Sequence, residues 1–128
     1  MKNIRAKRET SREYLMKLMY QTYISNGDIT DLENEMDEFL ENNKEYIMSR
    51  YKELVLTYSD KDVDFEQISL EKCVDRVYLN EMCDILRLKI DYINELIENN
   101  AKNWSINRFS KIDLAILQIA IAEILSDL

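Results

Sequence analysis

A chain of 128 residues with no proline and a single glycine, Gly27, has few means of turning sharply. Tight turns draw on both residue types, because proline presets the backbone and glycine tolerates positive φ. Their near absence favours long helices joined by short polar breaks. Hydrophobic residues at 46% and charged ones at 33% argue against a disordered chain. The length suits a single domain over residues 1–128 with a real core.

The run from Ser110 to Leu128 is the centre of that domain. Read as a helix, it places Leu114, Leu117, Ile121, Ile124 and Leu128 on one face and Ile112, Ile116 and Ile119 on another. A helix apolar on most sides belongs inside a bundle. Ser110 and Asp113 form a helix start in which the hydroxyl accepts an amide and the carboxylate meets the positive helix end. Asp113, Gln118 and Glu123 interrupt the run, and its shortness excludes a membrane span. Its two apolar sides need cover. A helix over residues 44–58 is one candidate, and a two-fold homodimer through a face that includes Leu125 and Leu128 is the expectation.

Ahead of this run the periodicity predicts four helices, with a basic arm before them and a charged linker among them. Residues 1–9 read as a basic arm, with Thr10 or Ser11 capping a first helix that ends at Asn26-Gly27, where Gly27 takes the left-handed conformation. Asp28 or Thr30 starts a second helix to about Asn42, and a third covers 44–58. A charged linker, 59–64, leads to a long helix from Asp64 or Ser69 with a bend near Asn99-Asn100. Cys73 and Cys83 fall in that helix, roughly 15 Å apart at 1.5 Å per residue, beyond disulfide reach. Tyr20, Tyr51, Tyr78 and Tyr92 fall on apolar stripes and read as core.

Charge is unevenly spread. The chain carries −8 overall, yet residues 1–17 hold six basic and two acidic side chains, a net +4. Arg5, Lys7, Arg8 and Arg12 are candidate phosphate ligands, with Arg12 placed in the first helical turn beside the positive helix end. Histidine is absent, which removes imidazole acid–base chemistry and most zinc sites. Asp60, Asp62, Asp64 and Glu71 follow a calcium-loop spacing, but Phe65 stands where the loop needs glycine. The acidic run 31–41 reads as a solvated helix face. No metal or cofactor is implied, and the charged N-terminus, with no apolar segment behind it, reads as that of a cytoplasmic protein.

Two motifs resemble one known family. The first is Trp104-Ser-x-x-Arg108-x-Ser110-x-x-Asp113-x-x-Ile116-Leu117-x-x-Ala120-x-x-Glu123-Ile124-Leu125. The second is Ser11-Arg-Glu-Tyr-Leu-Met-Lys-Leu-Met-Tyr-Gln21. In this order they are similar to the central and first helices of the bacterial NusB antitermination factor family. The resemblance implies an all-α, NusB-like bundle and a non-catalytic role. With the ribosomal protein NusE, such a protein binds a boxA-type RNA and helps load an antitermination complex onto RNA polymerase. Arg12 matches a family arginine in an RNA-binding N-terminus, and Asp113 matches an acidic position that contacts NusE.

The chain departs from the family pattern at Gln118, usually Arg, at Ala122, often Tyr, and in a longer 43–75 segment. Family members continue with two further helices, so the resemblance implies a truncated or reduced member. The same domain also precedes ribosomal RNA methyltransferases, but no methyl-donor site is visible here. The competing reading is a helical protein–protein interaction or oligomerisation module without RNA binding.

Overall fold

Residues 4–58, 68–102 and 105–126 are described by a computed structural model of the protein. The elements are α1 (Ile4–Ile24), a 3-10 turn (Ile29–Asp31), α2 (Leu32–Asn42), α3 (Lys44–Tyr58), α4 (Leu70–Cys73), α5 (Arg76–Asn100), a second 3-10 turn (Ile106–Arg108) and α6 (Lys111–Leu125). No strand occurs among the described residues, so the fold is all-α, as the sparse Gly and Pro predict.

Helix ends follow local chemistry. Asp28 accepts the Thr30 amide at 2.9 Å and opens the first 3-10 turn, which runs into α2. Asp75 accepts the Tyr78 amide at 3.0 Å and caps α5. Ser110 accepts the Asp113 amide at 3.1 Å and caps α6. At the end of α1 the left-handed residue is Asn26, at φ 58°, and not Gly27 as the sequence suggests. The Gly27 amide bonds the Thr22 carbonyl at 2.8 Å, and a Cβ on Gly27 would come within 3.0 Å of Thr22 Cγ2. Close approach, rather than positive φ, is what this glycine serves.

Three further boundaries differ from the sequence reading. α1 begins at Ile4, so residues 4–9 are helix and not an arm, and Thr10 and Ser11 are buried within α1 rather than capping it. The segment after residue 67 breaks between Cys73 and Arg76, which places Cys73 on α4 and Cys83 on α5. α5 ends at Asn100, close to the expected bend, but it also kinks at Lys89, with φ −124° and ψ 15° and neither proline nor glycine there. The linker 59–64, Trp104 and Leu128 lie outside the described residues, as do Asp60, Asp62 and Asp64. Glu71 is exposed and pairs with Arg76 at 2.8 Å.

The core is one cluster. Leu15, Leu18 and Met19 of α1, Leu40 of α2, Ile47 of α3, Tyr78, Leu79, Met82 and Leu86 of α5, and Ala115 and Ala122 of α6 are all essentially inaccessible. α6 lies antiparallel to both α1 and α5, with Arg12 beside Glu123 and Tyr23 beside Gln118 along α1. Along α5, Tyr78 sits beside Glu123 and Asn94 beside Gln118. α3 runs antiparallel to α1 on its other side, with Tyr58 at Glu9 and Arg50 at Glu13. The face of α6 that is buried is Leu114, Ala115, Gln118, Ile119 and Ala122. This corrects the predicted stripe: Leu117 and Ile121 are half-buried and Ile124 is 80% exposed. Of the tyrosines expected inside, Tyr51 and Tyr78 are buried, Tyr20 is half-buried and Tyr92 is exposed.

Candidate functional site

The sequence marks Arg5, Lys7, Arg8 and Arg12 at one end of the bundle and Asp113 at the other. On α1, positions 5, 8 and 12 recur at helical spacing and share a face, while Lys7 points elsewhere. Ile4, Arg5, Arg8, Glu9 and Arg12 line an open groove of about 600 Å³. Lys7 is on the side of α3 and α4, where together with Lys52 it acts on the Cys73 thiol. Burial pushes that thiol up to about 11, and the two lysines pull against the shift.

Each arginine of the stripe has a carboxylate partner. Arg5 Nε is 3.6 Å from Glu9, and its guanidinium lies 4.0 Å over the Tyr58 ring, whose hydroxyl donates to the Glu9 carboxylate. Arg8 Nε is 3.4 Å from Asp75 and stacks 4.5 Å over Tyr78. Asp75 is held in turn by its amide, which donates to Ser11 Oγ at 2.7 Å.

Arg12 is the most engaged. Its Nε and Nη2 donate to the two oxygens of Glu123 at 2.6 and 2.9 Å, and the Tyr78 hydroxyl donates to the same carboxylate at 2.6 Å. Burial alone would raise the Glu123 carboxyl, but the hydrogen bonds from Arg12 and Tyr78 outweigh it and hold it below the ordinary value. The hydrogen bond to Glu123 likewise raises Arg12 against the cost of burial. With the helix starting at Ile4, Arg12 sits two turns inside α1 and not at its positive end. The phosphate-docking geometry expected for Arg12 is therefore replaced by a clamp joining α1, α5 and α6.

A second buried polar link lies beside it. Gln118 is fully buried, accepts from the Tyr23 hydroxyl at 2.6 Å and donates to Asn94 Oδ1 at 2.8 Å. Burial pushes the Tyr23 phenol up to about 12. The family departure at Gln118 is thus internally satisfied: an amide offers one donor and one acceptor to two partners where a cation would need an anion. Its polarity reads Gln118 as solvent-facing; the four-residue spacing from Leu114 and to Ala122 is the sequence signal that places it on the buried face.

Asp113 is exposed in the first turn of α6, about 15 Å along the helix from Glu123 at 1.5 Å per residue. Ile112 and Ile116 flank it, 43% and 50% exposed. The structure does not bring Asp113 together with the arginine stripe. Between them, α1, α3 and α6 form an open cleft of about 400 Å³ lined by apolar Met16, Ile116, Ile119 and Ala120 and by the charged Glu9, Arg12, Glu13, Arg50 and Glu123. α3 packs against α1 and α4, and Ile112, Ile116 and Ile124 stay exposed. Self-coverage by the 44–58 helix is thus incomplete.

Among the described residues, no group of three or more acidic or cysteine side chains is placed to hold a metal ion, and no helix is long and apolar enough to cross a membrane.

An antiparallel all-α bundle, clamped by part-buried polar pairs and carrying an arginine groove on its first helix, is the class these features define. The NusB family model matches residues 9–127, and the chain belongs to the NusB family. Relatives carrying the name transcription antitermination protein NusB include one from Clostridium botulinum strain Loch Maree, 34% identical over 117 residues, covering 91% of this chain and 71% of the relative. Another from Clostridium tetani is 34% identical over 119 residues, covering 93% and 72%. A third, from Clostridium novyi, is 31% identical over 118 residues, covering 92% and 68%. No solved structure gives a significant match.

Proposed function

We propose that the chain is a non-catalytic, RNA-binding transcription antitermination factor of the cytoplasm. It takes a boxA-type RNA on the N-terminal half of α1 and acts with the ribosomal protein NusE on RNA polymerase. The observation that carries the reading is the open groove of Ile4, Arg5, Arg8, Glu9 and Arg12, which gathers guanidinium groups on one surface of a chain that is otherwise acidic. The relatives' shared name agrees with it. Lys7 and Arg8 are the phosphate-facing candidates, and Arg5 shares a face of α1 with Arg8. Arg12 acts chiefly by fixing the helix that carries them. Asp113 with Ile112 and Ile116 offers a partner one carboxylate between two apolar side chains, the mixture that protein interfaces use.

Fluorescence anisotropy with a boxA-type RNA over a salt series tests the RNA half. Replacing Arg5, Lys7 and Arg8 by Ala should weaken binding and flatten the dependence of log K on log salt by up to about 0.7 for each phosphate no longer neutralised. An unchanged slope removes the site from α1. For the partner half, Asp113→Asn and Ile116→Glu should weaken NusE capture without altering RNA affinity of the isolated chain.

The competing reading, an oligomerisation module, is favoured by the exposed Ile112, Ile116 and Ile124 on α6. Light scattering that shows a dimer, absent in Ile116→Glu, together with no RNA binding, would establish that reading in place of the first.

A further inference from the structure

We propose that Arg5 and Tyr58 form a stacking platform for one unpaired RNA base, which adds Tyr58 of α3 to the binding surface and rests on the RNA reading above. All three arginines of the stripe lie over tyrosine rings, Arg8 and Arg12 over Tyr78 and Arg5 over Tyr58, but the two rings differ. Arg8 covers Tyr78, which is completely buried and whose hydroxyl is committed to Glu123. That stack is part of the core. Arg5 covers Tyr58 at 4.0 Å, its side chain is 69% exposed, and Tyr58 is only half-buried.

An exposed arginine gains too little from a ring alone to hold one conformation, since such stacking contributes only about 0.5–1 kcal/mol at the surface. Here Glu9 fixes both partners: it accepts the Tyr58 hydroxyl and pairs with Arg5 Nε. The ring and the carboxylate together bias the guanidinium towards the stacked position before anything binds, which lowers the ordering cost of binding.

The charge arrangement decides what binds. Glu9 offsets the Arg5 cation and disfavours a phosphate at that spot. What remains for a ligand is a flat, delocalised π surface beside an aromatic ring, at the edge of the groove that Ile4 and Arg8 also line. Unstacked bases of single-stranded RNA use such guanidinium and aromatic planes. The base therefore rests on the Arg5–Tyr58 pair while the backbone follows the cations around it.

The test uses the full chain and a short single-stranded boxA-type RNA carrying 2-aminopurine, whose emission falls when it stacks. Tyr58→Leu should lower affinity by about fivefold or more, the effect expected for one base stack, and should abolish the emission change. Its salt slope should stay at the wild-type value, because every phosphate keeps its cation. Tyr58→Phe keeps the ring and should retain the emission change, and thermal melts establish that both variants are folded. Wild-type binding with undiminished affinity and emission change in Tyr58→Leu overturns the platform while leaving the RNA reading intact. A flattened salt slope in Tyr58→Leu also overturns it, since the residue would then act through phosphate. Absence of RNA binding by the wild type overturns both.

Discussion

Arg12 and Glu123, 111 residues apart, are joined by two N–H···O bonds of 2.6 and 2.9 Å, so the first helix is tied directly to the last. The pair is bidentate, which fixes geometry as well as adding energy. Because Tyr78 donates to the same carboxylate from a fully buried position, removing Glu123 strands two donors. Glu123→Ala should lower unfolding stability by about 1–3 kcal/mol, and Arg12→Ala by the lower part of that range because Arg12 is 40% exposed. Urea unfolding of both single variants and the double variant gives the coupling. A coupling below about 0.3 kcal/mol would reduce the clamp to an ordinary surface pair.

The same carboxylate carries a pH signature. Its folded value is held below the ordinary value of 4.5, so its contribution is complete above that pH and is lost as pH falls through the lower, folded value. Acid unfolding monitored by circular dichroism should therefore be less steep in Glu123→Gln than in the wild type below about pH 4.5.

Gln118 offers a prediction of opposite sign on the pH scale. Its partner Tyr23 is held protonated up to about pH 12 against an ordinary value of 10.0 by burial, against which the Gln118 hydrogen bond pulls. That stabilisation is fully present below pH 10 and is lost as pH rises towards 12. Tyr23→Phe should cost about 1 kcal/mol at neutral pH, because it leaves the buried Gln118 oxygen without its donor, and should make the alkaline unfolding limb shallower. Gln118→Leu removes the link to both Tyr23 and Asn94 and should cost more than Tyr23→Phe. Equal stability of Gln118→Leu and wild type would show that the link is not needed.

Cys73 and Cys83 are buried free thiols pushed up to about 11 and about 12, in both cases first by burial. The thiolate is the reactive form, so neither should react appreciably with an aromatic disulfide reagent at pH 8 in the folded protein. Both should react once the chain is unfolded in guanidinium. Fast labelling of either in native buffer would show that its helix opens readily.

The helices themselves were legible one by one. A 3.6-residue apolar period, caps at Asp28 and Ser110, and breaks at Asn26 and Asn42–Asn43 are local signals, and α2, α3 and α6 fall within a few residues of where those signals put them. The family was legible too, because the runs from Ser11 and Trp104 preserve both residue type and spacing. The start of α1 was not. A cluster of cations reads as a solvated arm until Glu9 on the same helix, Asp75 at the start of α5 and Glu123 on α6 are seen to pair with its arginines.

The sequence by itself determined the all-α class, the order of the helices and the end of the chain that carries the cations. Each follows from interactions within a few residues: backbone hydrogen bonds, caps and the i, i+3, i+4 periodicity. Only the tertiary structure decided which face of α6 is buried, that Gln118 belongs inside, and that Arg12 is a clamp while Arg5 lies open over Tyr58. Those outcomes depend on how helices far apart in sequence are rotated against one another. A rotation of a single residue, about 100°, exchanges a buried side chain for an exposed one, and the local period does not contain that angle.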